Sequence, residues 1–389
     1  MTHRPAYVLL ADGTRFDGAA VGADASAVGE VVFTTSMAGY QETVTDPSYA
    51  GQLIAFTFPQ IGNYGISESA MESAAVHARA VIMRAAVDRP YGWGARDDAA
   101  TASTGWLRWL TAQGVPAITD LDTRALVRHI RDAGAMRGGV FPGYIPTDGA
   151  RTLIDAEPPM TGRDLARVVS PTAPTTVPGR APRGHPPVRI AVIDTGVKRS
   201  ITAQLTGHGA DVTLHPCTSG PDEILAGDPD AIFLANGPGD PGALDYIVNT
   251  VRRLIGAKPV YGICLGHQLL CRAVGLETYK MPFGHHGANH PVKDLTTGRT
   301  EITSQNHGFA VLGPGGERTV AEDEPVQWQT DFGRAALTHV NLYDRTVEGL
   351  RLLDVAGATV QYHPEAGPGP NDSLYLFDRF VQEIRDAKA

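Results

Sequence analysis

Cys264 stands between two glycines, in Gly262-Ile263-Cys264-Leu265-Gly266, where an apolar run at 260–263 gives way to a helical pattern over 265–273. A nucleophile on such a strand-to-helix turn is held in strained backbone geometry, so its flanking positions must lack side chains that would collide. The N-terminus of the following helix favours thiolate over thiol. The bland alternative is a structural cysteine, since free cysteine is among the most buried residue types. Two glycines and a preceding strand favour the nucleophile. A thiolate needs a base, and Val360-Gln361-Tyr362-His363-Pro364-Glu365 supplies one. Residues two apart in extended backbone face the same way, so His363 and Glu365 can meet. Pro364 cannot donate to a ladder, so the strand ends there, and strand ends are where active-site residues of parallel α/β sheets collect. Glu365 would hold the imidazole tautomer while His363 shuttles protons. His-x-Glu alone is commonplace; joined to the elbow, it makes a Cys264-His363-Glu365 triad the leading expectation.

The elements that must position these groups change character along the chain. Up to about residue 60, short strands around Tyr7, Arg15, Glu30 and Leu53 are separated by turn residues such as Asp12-Gly13. Residues 64–140 mix a strand after Arg79 with two helices, one from about 102 to 113 and one N-capped by Asp122 and ending near Gly134. The stretch 170–187 is dense in proline and reads as a linker. Beyond it, strands at 188–194, 211–215 and 231–235 alternate with helices at 198–207, 222–226 and 242–255, which implies a parallel sheet covered on both faces. The tail at 374–387 places Leu374, Phe377, Phe380, Val381 and Ile384 on one helical face, with Asn371 or Asp372 as N-cap. The expected fold class is therefore α/β, a parallel sheet flanked by helices after a mixed α+β domain. Its expected divisions are 1–150, a connecting segment 151–187, and 188–389.

Composition narrows the function. The 389 residues are 42% hydrophobic and 19% charged, as in a globular protein of two ordinary domains. A net charge of −9 leaves no basic surplus for nucleic acid. Three cysteines make no disulfide framework, and a working thiolate fits a reducing cytoplasm. The first residues have too short an apolar core for a signal peptide, and no stretch approaches membrane-spanning length.

Two further motifs need weighing. Gly237-Pro238-Gly239-Asp240-Pro241-Gly242 formally matches the dinucleotide fingerprint, yet the next strand ends in Ile263-Cys264 rather than an acidic residue. Pro238 and Pro241 also remove amides that a phosphate cradle would use. A rigid loop aimed at a developing oxyanion beside Cys264 is the better reading. His285, His286 and His290 invite a metal site, but no helix or hairpin would aim them at one point, so polar loop residues are expected and no metal. Cys217 and Cys271 lack elbow glycines; Cys271 is expected to pack.

The blocks around Cys264, Asn236–Pro241 and His363-Pro364-Glu365 together resemble the class I, triad-type glutamine amidotransferases. Residues 284–294, 305–310, 29–42 and 45–49 narrow the resemblance to the small, glutaminase subunits of carbamoyl-phosphate synthase. It covers nearly the whole chain, more loosely from 64 to 116 and through the linker. Thr195 stands where a bulkier residue is expected. The resemblance implies a glutamine pocket of Ser48, Gly237, Gly239, Leu265, Gln268, Asn306, Gly308 and Phe309, with Ser48 contributed by the first domain. It implies an oxyanion hole of the Leu265 and Gly237-loop amides, and a large partner subunit that receives ammonia and carries the ATP and Mg. A stand-alone cysteine hydrolase, an amidotransferase serving another synthase and a non-catalytic module are the rivals. The product's pathway, arginine or pyrimidine biosynthesis among them, is not legible.

Overall fold

A computed structural model describes residues 4–88, 105–180, 187–322 and 325–388. The chain forms two compact units: residues 1–163 with 282–287, and residues 164–281 with 288–389.

In the first unit, strict two-residue alternation builds a closed barrel. Its strands are β1 (Arg4–Leu10), β2 (Arg15–Gly22), β3 (Ala27–Thr34), β4 (Gln52–Phe56), β6 (Ala80–Ile82), β8 (Pro116–Thr119) and β9 (Met136–Pro142), in the order β1-β2-β8-β6-β4-β3-β9. The short β5 (Gln60–Ile61) and β7 (Ala85–Ala86) pair separately. Val8, Val31, Phe33, Leu53, Ala55 and Ile82 share one cluster, while Val32, Ile54, Phe56 and Val81 feed another with Tyr40 of α1 (Tyr40–Thr45) and Trp106 of α2 (Trp106–Ala112). That split of neighbours is the period of two that a pleated strand imposes. Residues 102–104, expected to begin α2, lie outside the described residues. Helix α3 (Thr123–Ala133) starts as expected, Asp122 Oδ1 accepting from the Ala125 amide at 3.0 Å.

The second unit is an eleven-stranded sheet with helices on both faces. Its central strands β11 (Val188–Asp194), β12 (Ala210–Pro216), β13 (Ala231–Leu234), β14 (Val260–Ile263) and β20 (Gly357–Val360) run parallel, in the order β12-β11-β13-β14-β20. One face is covered by α7 (Pro221–Ala226), α8 (Asp245–Leu254) and α9 (Leu265–Ala273), through Ile224, Ile247, Val251, Leu269 and Leu270. The other is covered by α6 (Arg199–Gly207) and α10 (Tyr375–Lys388), through Ile201, Leu205, Leu376, Phe377, Phe380, Val381 and Ile384. Each such side chain contributes ~1.5–3 kcal/mol relative to exposure, more than a 14-residue helix gains from propensity alone. The sheet continues through β19 (Val347–Leu352), β18 (Gly333–Asn341), β15 (Thr278–Asp294) and β16 (Thr300–Val311), with β17 (Gln327–Thr330) against β18.

Among its described residues the connecting segment 151–187 holds the end of α4 (Thr147–Ala156), α5 (Ala166–Val169), and β10 (Thr175–Val177), which pairs antiparallel with β12. Thr175 to Val177 lie among prolines without interrupting a ladder, because an edge strand tolerates proline neighbours. The histidine-rich run 284–290 is not a loop but the middle of β15. Its glycines and histidines have little strand propensity, and neighbouring strands impose the extended form. His286 accepts from the Thr35 amide at 3.1 Å through its carbonyl, within the first unit.

Candidate active site

β14 ends at Ile263, and Cys264 turns the chain into α9 with φ 56° and ψ −107°. A non-glycine residue in this region is strained and persists only where its surroundings over-determine it. The flanking glycines show how. A Cβ on Gly266 would lie 2.1 Å from the Leu234 carbonyl oxygen, and one on Gly262 3.0 Å from the Gly266 backbone. Only glycine lets α9 press directly onto β13. Cys264 is 2% exposed, and its Sγ lies 3.5 Å from the Asn306 carbonyl oxygen.

β20 runs parallel to β14 and delivers the second group just past its end, where the Cys264 amide donates to the Val360 carbonyl at 2.9 Å. His363 Nδ1 and Glu365 Oε1 are 2.6 Å apart, with both side chains buried. Behind them stands a residue that sequence reasoning missed. Lys198, the N-cap of α6, donates through Nζ to Glu365 Oε1 at 2.9 Å and to the Ala366 carbonyl at 2.7 Å. It is 2% exposed. Burial opposes charge on all of these groups. It pulls His363 down, but the Glu365 carboxylate and the Cys264 sulfur overcome it and push the imidazole up to about 10. Burial likewise pushes Glu365 up, and the Lys198 and His363 charges prevail, holding it at about 2. The row Lys198–Glu365–His363 thus ends in a basic ring that interacts with the Cys264 sulfur.

The remaining parts of the second unit close on the elbow from other strands. The Gly237 loop follows β13, and a Cβ on Gly237 would lie 2.2 Å from the Thr195 carbonyl oxygen and 3.0 Å from Leu265. Thr195, fully buried, donates through Oγ1 to the carbonyls of Ala235 (3.1 Å) and Asn236 (2.8 Å). The threonine that stands in place of a bulkier residue therefore ties down this loop by hydrogen bonds. Gly239 adopts φ 96°, and Asp240 Oδ1 accepts from the Gly242 amide at 2.7 Å. The turn is rigid and spends an amide on its own aspartate, which suits an oxyanion better than a pyrophosphate. Asn306, Gly308 and Phe309 lie on β16, and Gln268 on α9 donates to the Phe309 carbonyl at 2.9 Å.

The chain matches the carbamoyl-phosphate synthase small chain CPSase domain over residues 8–140 and class-I glutamine amidotransferase over residues 191–383. A carbamoyl phosphate synthase small chain of Syntrophotalea carbinolica is 42% identical over 385 residues, 97% of this chain and 96% of that one. That of Xylella fastidiosa is 44% identical over 386 residues, 97% of each. The chain belongs to the carbamoyl-phosphate synthase small chain family. The small chain of Streptomyces coelicolor, 41% identical, spans 100% of this chain and 98% of its own.

The family is that of the small chain of the glutamine-hydrolysing synthase, and its amidotransferase match, residues 191–383, lies in the second unit apart from residues 282–287, which belong to the first. Of the residues expected at a small-chain glutamine pocket, Gly237, Gly239, Leu265, Gln268, Asn306, Gly308 and Phe309 belong to that unit. Ser48 belongs to the first, in the turn Pro47–Tyr49, its amide donating to Asp46 Oδ1 at 2.9 Å. Lys198 carried one weak sequence signal, a lysine at the start of a helix after Asp194-Thr195-Gly196-Val197. Nothing in that spacing distinguishes it from a solvated one. Among the described residues no helix is long and apolar enough to cross a membrane.

Proposed function

We propose that the second unit hydrolyses L-glutamine through Cys264, His363 and Glu365. The ammonia passes to a large partner subunit that makes carbamoyl phosphate from bicarbonate and ATP. The observation that carries this reading is the buried row Lys198–Glu365–His363 aimed at a cysteine on a strained, glycine-flanked elbow. The Cys264 thiolate attacks the carboxamide carbon, forming the C–S bond and an oxyanion. The amides of Leu265 and the Gly237 loop receive that oxyanion. His363 gives its proton to the leaving nitrogen as the C–N bond breaks. The ring then takes a proton from water, which attacks the thioester and releases glutamate and the thiolate. Glu365 keeps Nδ1 protonated so that Nε2 does this work, and Lys198 keeps Glu365 ionised.

Gly237, Gly239, Leu265, Gln268, Asn306, Gly308 and Phe309 would hold the glutamine. The reaction draws on no metal or nucleotide in this chain; ATP and Mg belong to the partner. Free ammonia would become ammonium in water, which is why transfer inside a complex is the economical route. A working thiolate suits a reducing cytoplasm.

The test is the purified complex with its large chain, supplied with amide-¹⁵N glutamine, bicarbonate and ATP in excess unlabelled ammonium. Label retained in carbamoyl phosphate supports the reading. Full dilution by ammonium would refute the transfer, and absence of glutamine hydrolysis would refute the triad.

A further inference from the structure

Thr359, Gln361 and His363 alternate along one face of the chain at and just beyond β20, and the elbow and α9 meet them in step. Thr359 Oγ1 lies 2.9 Å from His267 Nδ1, and Gln361 Oε1 accepts from Gln268 Nε2 at 3.0 Å. His363 is the member whose ring Glu365 and then Cys264 push up against burial. Gln361, the partner of the pocket residue Gln268, is given no task by the proposed mechanism.

Its atoms are oriented by their partners. Gln268 Nε2 also donates to the Phe309 carbonyl, which fixes which end of that amide is nitrogen. Gln361 must then present oxygen to Gln268. The same Phe309 carbonyl faces His307 Nδ1 at 2.7 Å, so it is gripped from two sides. Gln361 is fully buried, and its Nε2 has no hydrogen-bond partner among the described residues. A buried amide with one end unsatisfied costs stability that an apolar residue of equal length would not.

We propose that Gln361 is a positioning residue for glutamine binding. Its oxygen holds the Gln268 amide against the Phe309 carbonyl and so sets the pocket wall formed by Gln268 and residues 306–309. It acts on neither the sulfur nor the base. This rests on the glutamine pocket proposed above.

The test uses the assembled complex and two variants. Gln361→Met keeps length and volume and removes the acceptor; Gln361→Glu keeps an acceptor oxygen. For Gln361→Met, KM for glutamine should rise about tenfold while kcat stays within about twofold. Ammonia-dependent synthesis and the rate of Cys264 alkylation by iodoacetamide should match the parent. Gln361→Glu should keep KM within about threefold of the parent. A Gln361→Met KM within about threefold of the parent overturns the proposal. So does a fall in kcat with slowed alkylation, which would put Gln361 on the Cys264–His363 pair. If Gln361→Met fails to assemble, Gln361→Glu decides alone: a KM near the parent's supports the acceptor role, and a larger rise overturns it. A parent complex inert toward glutamine but active with ammonia would instead sink the proposed function.

Discussion

Two cysteine–histidine pairs sit at opposite ends of α9, and they behave in opposite ways. Cys264 begins the helix with φ 56°, and the imidazole associated with it is backed by Glu365 at 2.6 Å. Cys271 lies near the other end of the helix, its Sγ 3.8 Å from His267 Nδ1, and that imidazole is backed by the Thr359 hydroxyl at 2.9 Å. All four side chains are buried. Burial, followed by the nearby His339, pulls His267 down to about 3, and burial pushes the Cys271 thiol well up. His363 suffers the same burial and still rises to about 10. A hydroxyl behind an imidazole fixes its orientation; a carboxylate fixes its charge. The residue pair is the same in both places, and what stands behind the imidazole differs, a carboxylate in one and a hydroxyl in the other.

Three perturbations test that contrast, beginning with the largest. Cys264→Ala should abolish glutamine-dependent carbamoyl phosphate synthesis, by more than about 10³-fold, and leave the ammonia-dependent reaction at the parental rate. Retained glutamine turnover, or equal loss of both reactions, would break the division of labour. Glu365→Gln comes next, because it gives His363 a neutral partner like that of His267. The expected loss in kcat is roughly 10²–10⁴-fold. Lys198→Met should cost less, roughly 10–10²-fold, since Glu365 keeps its contact with His363. It also leaves a buried carboxylate without its cation, a change worth ~3–5 kcal/mol of stability when one partner of a buried pair is removed. The double variant should fall well short of the sum of the two, measured in kcat/KM, because both substitutions act through one imidazole.

A further perturbation reads the same contrast from stability. His267 and His339 fall from an ordinary 6.5 to about 3 and about 4, in both cases chiefly through burial. The unfolded chain therefore takes up protons near pH 6.5 that the folded chain refuses. Their contribution is complete above that pH and is lost as pH falls through about 4 and 3. His363, raised to about 10, contributes fully below pH 6.5 and loses its contribution as pH rises through about 10. His267→Gln should accordingly flatten the acid-side decline of unfolding free energy between pH 6.5 and 4.5 by up to ~1.4 kcal/mol per pH unit. Denaturant titrations at three pH values measure it, and an unchanged slope would mean His267 is charged in the fold.

Legibility in the sequence follows the same line. Cys264, Gly262 and Gly266 are readable because a strained turn admits few residue types, and His363 with Glu365 because spacing by two in extended chain fixes their common face. Lys198 is not, since it lies 167 positions from Glu365 and only the sheet topology brings them together. Gln361 had a signal that could have been used, the same spacing by two from His363. The amphipathic α10 and the parallel core were readable from periodicity. The extended form of 284–290 was not, because those glycines and histidines take their conformation from neighbouring strands rather than from local preference.

The smallest expected effect sharpens the comparison most. Cys271 is fully buried, its thiol is held protonated by burial, and its contact with His267 offers a neutral ring. Cys217, the third cysteine, is also buried, 3.5 Å from the Tyr246 hydroxyl. Iodoacetamide at pH 8 should modify one thiol per native chain, at Cys264 beside its charged imidazole, and none in Cys264→Ala. Cys271→Ala should leave both the alkylation rate and glutamine turnover within about twofold of the parent, with a loss of ~1–2 kcal/mol from the emptied volume. Peptide mapping of the alkylated chain locates the adduct. Modification at Cys271 on the timescale of Cys264 would show that burial does not silence this thiol, and that a carboxylate behind the imidazole is not what separates the two pairs.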